Sequence, residues 1–166
     1  MKYCPRCAQP LTRREDGGRL RPACPDRACG YIHYDNPVTI VAALVEHEGD
    51  VILARNKGWP ESWYGLVAGY LERDETPEEA VLREIVEELA LTGEIVSFIG
   101  MYSFFEMNQL ILAYHVRAEG TVVVGDELAD IKRVPPDKLR PWPRGTGHAV
   151  RDWLAARQQA GTEADS

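Results

Sequence analysis

The stretch REIVEELA, Arg83 to Ala90, places Glu84, Glu87 and Glu88 on little more than one helical turn. Residues at i, i+3 and i+4 are neighbours on a helix surface, so these carboxylates converge and repel one another. The segment upstream is built to start a helix. Thr76 is a good N-cap, Pro77 suits the first helical position, and Glu79 completes a capping box with Thr76. The spacing predicts a helix from residue 77 to about residue 89. On a helical wheel Val81, Leu82, Ile85, Val86 and Leu89 share the arc that faces a core, and the three glutamates fill another. Two of them fall in the last turn, where the helix dipole disfavours negative charge. A solvated charged face, relieved in part by Arg83, is the plain alternative. No lysine lies on the glutamates' own arc, however, so a divalent cation is the better compensation. Hard oxygen ligands suit Mg²⁺ or Mn²⁺ rather than Zn²⁺.

The four cysteines all fall within residues 4–29. They form two pairs, Cys4-x2-Cys7 and Cys24-x4-Cys29, separated by sixteen residues that include the turn signal REDGG. Two knuckles on facing hairpins can bring four thiolates into a tetrahedron around Zn²⁺. Free thiols or two disulfides are the alternatives. A site with four cysteine ligands keeps no open position, so this zinc would be structural. The N-terminus has no apolar segment long enough for a secretory leader, and no apolar run approaches the ~20 residues that span a membrane. The expectation is a cytoplasmic protein that does not engage a membrane.

Charge divides the chain in the same way. The net charge is −7, yet residues 1–34 hold seven Lys or Arg against three acids, leaving +4 there and −11 in the rest. An acidic body argues against bulk nucleic-acid binding and favours recruiting cations. The basic segment keeps a nucleotide or RNA contact open, beside the simpler reading of a solvated surface.

After HYDNP, the run VTIVAALVEHEGDVILARNK reads as a β-hairpin with EGD at its turn. A short strand is expected at Leu66 to Ala68, and others at Ile95–Met101, Leu110–Ala118, Thr121–Val124 and Ile131–Val134. HAVRDWLAARQQ reads as a closing helix with Val150, Trp153 and Leu154 turned inward. Trp59, Trp63, Trp142 and Trp153 are expected to pack rather than bind. Strands around a central helix imply an α+β fold or an α/β/α sandwich. The expected division is a zinc ribbon over 1–34, a second domain over 35–160 and a disordered tail over 161–166.

From Gly69 the sequence reads G-x5-E-x7-R-E-I-V-E-E-L-A-L. This resembles the Nudix box, G-x5-E-x7-R-E-U-x-E-E-x-G-U with U apolar. Gly69, Glu75, Arg83, Glu84, Glu87 and Glu88 match by letter, and Ile85 and Leu91 fill apolar positions. Ala90 stands where the pattern has Gly, which leaves the helix exit open to question, and Asp74 stands where many members have Gly. With the four-Cys segment, HYDNPVTIVAALV and the lead-in AGYLE, the chain is similar to the zinc-ribbon branch of the family. That branch includes NADH pyrophosphatases and enzymes acting on FAD or ADP-ribose.

The resemblance implies a Nudix-type α/β/α sandwich with a mixed sheet, preceded by the ribbon. It implies that Glu84, Glu87, Glu88 and the backbone carbonyl of Ala68 hold Mg²⁺ or Mn²⁺. Gly69, Glu75 and Arg83 would act as structural support. Glu127 is a candidate for the extra carboxylate that members supply from a downstream loop, as metal ligand or general base; an ordinary surface glutamate is the alternative. Tyr34 and Tyr70 stand where aromatic residues stack on adenine, one of them across a homodimer, or else they are partly buried packing residues.

The activity implied is hydrolysis of a pyrophosphate bond in a nucleoside diphosphate linked to another group, such as FAD, ADP-ribose or an NAD(H)-like dinucleotide. Other readings are a nucleoside triphosphate sanitising hydrolase, an RNA nucleotide-cap hydrolase and a non-enzymatic nucleotide sensor. Members specific for NADH carry Ser-Gln-Pro-Trp-Pro-Phe-Pro-x-Ser shortly after the box. Here the equivalent region is MYSFFEMNQ, Met101 to Gln109, with no proline or tryptophan. A more strand-like segment and a preference for FAD or ADP-ribose over NADH are therefore expected.

Overall fold

Strand β3 (Val38–His47) is buried on both of its faces, and the second unit of the chain is laid out around it. The computed structural model describes residues 1–164, with side chains to residue 160. Contacts divide it into two compact units, one of Met1–Asn36 and one beginning at Pro37.

In the first unit, β1 (Thr12–Asp16) and β2 (Arg19–Ala23) form an antiparallel hairpin across the REDGG turn. The knuckle residues lie on either side of it.

In the second unit the remaining strands are β4 (Asp50–Asn56), β5 (Val67–Tyr70), β6 (Thr92–Phe104), β7 (Gln109–Glu119) and β8 (Leu128–Val134). The sheet order is β6-β7-β3-β4-β8, with β5 also paired to β3. β3 runs parallel to β7 and antiparallel to both β4 and β5. It pairs with β5 through Ile40–Ala43 and with β4 through Val45–His47, so its two neighbours on that side fork apart.

Successive β3 side chains point to opposite faces. Val41, Ala43 and Val45 enter one cluster with Ala80, Val81, Ile85 and Leu89 of helix α1 (Pro77–Leu89). Ile40, Ala42 and Leu44 enter the other with Ala149, Val150 and Trp153 of helix α2 (Gly147–Ala164). An unbroken apolar run is what a strand covered on both faces requires. This is the expected Nudix-type α/β/α sandwich with a mixed sheet. Burying side chains such as Ile85 and Leu89 contributes about 1.5–3 kcal/mol each.

The structure corrects several local expectations. Thr121–Val124 forms no strand. Its backbone instead satisfies the orphan carbonyls at the end of α1, with Val123 N donating to Leu89 O at 2.9 Å and Gly125 N to Glu88 O at 2.8 Å. Val86 is exposed and Glu88 is buried, because this loop covers the Glu88 side of the helix. Trp59 and Trp63 are also exposed, and Trp63 lies under the Arg144 guanidinium at 5.4 Å; Trp153 is buried. Helix α2 continues through Ala164 into the stretch expected as a tail, and residues 165 and 166 lie outside the described residues. Among the described residues, no helix is long and apolar enough to cross a membrane.

The capping box at Thr76 and Glu79 forms as expected. At the other end Ala90 is the C-cap with φ 54° and ψ 27°, and its N–H bonds to Val86 O. That conformation brings a Cβ too close to the following carbonyl and is the one glycine adopts freely. Ala90→Gly is therefore expected to raise stability by about 1 kcal/mol, measured by denaturant unfolding.

Candidate catalytic and zinc sites

Arg83 organises the box. Its Nε and Nη2 grip the two oxygens of Glu75 at 3.1 and 2.9 Å, and Glu75 Oε1 also accepts from the Glu72 N–H at 2.6 Å. Nη1 donates to Glu84 at 2.7 Å and to Glu87 at 3.0 Å, while Nη2 also reaches the Tyr70 carbonyl at 3.1 Å. The guanidinium so placed holds the Glu75 carboxyl below the usual carboxylate range. One side chain thus ties the loop after β5 to the glutamate face of α1.

Strand β5 sets the backbone side of the site. Leu71 N donates to Thr39 O, so Thr39 and Leu71 are a hydrogen-bonded pair. Bonded and non-bonded pairs alternate along an antiparallel ladder. The register Ile40↔Tyr70 and Ala42↔Ala68 then makes both of these non-bonded pairs. The Ala68 carbonyl accordingly points out of the β3 ladder, to the side where the Tyr70 carbonyl meets Arg83. Between them is Gly69, where any Cβ would collide with the Glu84 carboxylate. Glycine lets the Glu84 carboxylate lie directly against this strand, and a larger residue would displace it.

Glu88 is the unusual member. It is 5% exposed, and its Oε2 has no hydrogen-bond partner. Burial, and then the charges of Glu84, Glu127 and Glu87, push its carboxyl up to about 8. Burial also raises the Glu84 carboxyl, against the pull of Arg83. Glu127 bears on both groups, so the fold brings it to the cluster although it is thirty-nine positions beyond Glu88 in the chain. A buried carboxylate with an unsatisfied oxygen among like charges is the donor set that a hard divalent cation compensates. The carboxylates are not drawn tightly together: Glu84 and Glu87 turn onto Arg83.

Gly125 escaped the sequence reading. A Cβ there would run into the Glu87 carbonyl, so a glycine is required for the loop bearing Glu127 to lie against α1. Its only sequence signal is its place between a valine run and the acidic pair Asp126-Glu127.

Tyr70 is exposed, as a stacking surface must be. Tyr34 belongs to the first unit, is 48% exposed, and has the Arg21 guanidinium over its ring at 4.7 Å. Segment Met101–Gln109 is partly strand. β6 runs to Phe104, residues Phe105–Met107 form a single 3-10 turn, and β7 begins at Gln109. Phe105 at the tip is 87% exposed, whereas Tyr102 is tied to Asp152 by a 2.8 Å hydrogen bond.

The cysteines converge. Sγ of Cys4 lies 3.6 Å from that of Cys29, Sγ of Cys7 lies 3.4 Å from that of Cys24, and all four fall within 4.8 Å of one another. Sulfurs on a zinc tetrahedron, with Zn–S near 2.3 Å, stand about 3.8 Å apart. Burial, and then the Cys7 thiol, push the Cys24 thiol up to about 12, so full ionisation of the set requires a cation. The residues fit zinc.

Comparison with known proteins gives a consistent result. A family model described as the NUDIX domain matches residues 35–154. The NAD-capped RNA hydrolase NudC of Pseudomonas putida is 26% identical over 146 residues, which is 87% of this chain and 51% of that protein. The protein of the same name from Pseudomonas aeruginosa is 27% identical over 98% of this chain and 58% of its own. The chain thus spans little more than half the length of these relatives. A crystal structure of a NUDIX hydrolase from Nitrosomonas europaea superposes with a TM-score of 0.80 at 25% identity, covering 96% of this chain and 93% of that one.

Two outcomes test these sites. The folded-state value of Glu88, about 8, lies above its ordinary 4.5. Between those values the folded protein holds a proton that the unfolded chain has released, so stability without metal falls as pH rises through the window. Melting temperature in chelator should drop from pH 5 to pH 8, and Glu88→Gln should flatten the slope. Zinc analysis of protein prepared under reducing conditions should give about one ion per chain. Its removal should unfold residues 1–36 first, since so short a segment has little core.

Proposed function

The chain belongs to the Nudix family, and from that premise we propose that it is a divalent-cation-dependent pyrophosphohydrolase acting on an adenine nucleotide joined through its diphosphate to another group. The observation that carries this is the buried, unpartnered Glu88 oxygen beside Glu84, Glu87 and Glu127. Glu84, Glu87, Glu88 and the outward Ala68 carbonyl would hold Mg²⁺ or Mn²⁺. When bound, such an ion neutralises the diphosphate oxygens and lowers the pKa of water.

The chain's own groups do the rest. Arg83 and Glu75 fix the glutamate face relative to β5. Glu127 takes the proton of the attacking water. Tyr70, exposed beside the box, stacks on the base. The products are AMP and the phosphate ester of the other half. Two relatives carrying the name NAD-capped RNA hydrolase support an NAD-type dinucleotide, free or at an RNA 5′ end, among the substrates. A homodimer belongs to the same reading.

Replacing Glu87 or Glu88 with Gln should lower the rate at saturating Mg²⁺ by about 100-fold or more, with the fold and the metal-free melting temperature kept or raised. Near-normal rates in both variants would sink the assignment. The same assay should cover NADH, NAD⁺, FAD, ADP-ribose, dinucleoside polyphosphates, nucleoside triphosphates and NAD-capped RNA. Because Phe105–Met107 forms an exposed 3-10 turn lacking proline and tryptophan, FAD or ADP-ribose should be turned over better than free NADH.

A further inference from the structure

The first unit carries its arginines in an order that charge balance alone does not require. In the β1–β2 ladder Arg14 stands directly opposite Arg21, and Asp16 opposite Arg19. Like charges so placed in an antiparallel pair are unfavourable. The bridge Ala23↔Ile32 and the bond from His33 N to Pro22 O carry the same register onto the next extended segment. That register sets Tyr34 beside Arg21. The Arg21 guanidinium lies over the Tyr34 ring at 4.7 Å, and its Nη1 donates to the Tyr34 carbonyl at 3.0 Å. One face therefore presents Arg14, Arg21 and Tyr34 in a row, with Arg19 in the next.

Asp16 is the one acid in these two rows of the β1–β2 ladder, against Arg14, Arg19 and Arg21. Asp16 reaches Arg21 only at 3.9 Å. Among the described residues, Arg13, Arg14 and Arg19 have no ion-pair partner. The charge of residues 1–34 is +4, and a zinc tetrathiolate, at −2, would still leave about +2. The remainder of the chain, at −11, repels a polyanion. By net charge, the ribbon is the part of the chain that attracts a strand of phosphates.

The combination of an aromatic ring at 48% exposure, a guanidinium over one side of it and unpaired arginines alongside is chemistry for single-stranded nucleic acid. Bases stack on the ring, and phosphates pair with the arginines. We propose that the β1–β2 face bearing Arg14, Arg19, Arg21 and Tyr34 binds the single-stranded RNA that follows a dinucleotide-capped 5′ end. This rests on the pyrophosphohydrolase reading for its biological use, but the binding itself does not require catalysis.

The test uses the full zinc-loaded chain without Mg²⁺ and a short, uncapped single-stranded RNA, read by fluorescence anisotropy. The wild-type protein should bind with a log–log salt slope of about −2, as two or three phosphate contacts give. Arg14→Glu and Arg19→Glu should each weaken binding about tenfold. Arg13→Glu makes the same charge change on the opposite face of the hairpin and should change it less than about twofold. Arg14→Gln and Arg19→Gln serve in place of any reversal that loses zinc.

With Mg²⁺ restored, kcat/KM for NAD-capped RNA should fall in the Arg14 and Arg19 variants, while that for free FAD or ADP-ribose stays constant. No RNA binding by the wild type, or an equal loss from all three reversals, overturns the proposal. Absence of hydrolysis of every capped and free substrate overturns the enzymatic reading instead and leaves the anisotropy result standing.

Discussion

The five hydrogen bonds of the Arg83 guanidinium join Glu75, Glu84, Glu87 and the Tyr70 carbonyl. A planar fork can satisfy several oxygens at fixed angles, which a lysine ammonium cannot. The loop after β5 has no core of its own, so its place relative to α1 depends on this fork and on the bare backbone of Gly69. Removing the cation would leave Glu75 and Glu84, both largely buried, without their main partner. The box is thus a bracing device as much as a candidate ligand set.

The bracing sustains an arrangement that repels itself. Glu88 is placed where burial and three other carboxylates oppose its ionisation. Such a site costs stability in the metal-free protein, and a bound divalent ion would offset that cost. The sandwich tolerates this because β3 supplies apolar side chains to both layers, anchoring α1 through Val81, Ile85 and Leu89 whatever the charge state of its other face. The two demands fall on different arcs of one helix.

The two units divide the electrostatic work. The acidic second unit brings Glu84, Glu87 and Glu127 close to a buried Glu88. The first unit brings four cysteine sulfurs within 4.8 Å of one another and presents arginines and an aromatic ring outward.

Local chemistry by itself determined α1: the capping box, Pro77 and the apolar period give its limits without reference to anything distant. The β3–β4 hairpin and the cysteine knuckles were legible for the same reason, since turn residues and ligand spacing are short-range. The letters of the box also marked Glu84, Glu87, Glu88, Gly69 and Arg83 as belonging together. What only the tertiary structure decided depends on who covers whom. A wheel put Val86 inside and Glu88 outside; the loop at 123–125 reversed them by bonding to the end of α1. A valine-rich run looked like a strand, but its N–H groups found helix carbonyls instead of a ladder. The approach of Glu127 to the cluster, the need for Gly125, and the outward turn of the Ala68 carbonyl arise from contacts between residues far apart in sequence. No local propensity records them, because burial and hydrogen-bond partners are fixed only when the chain closes on itself.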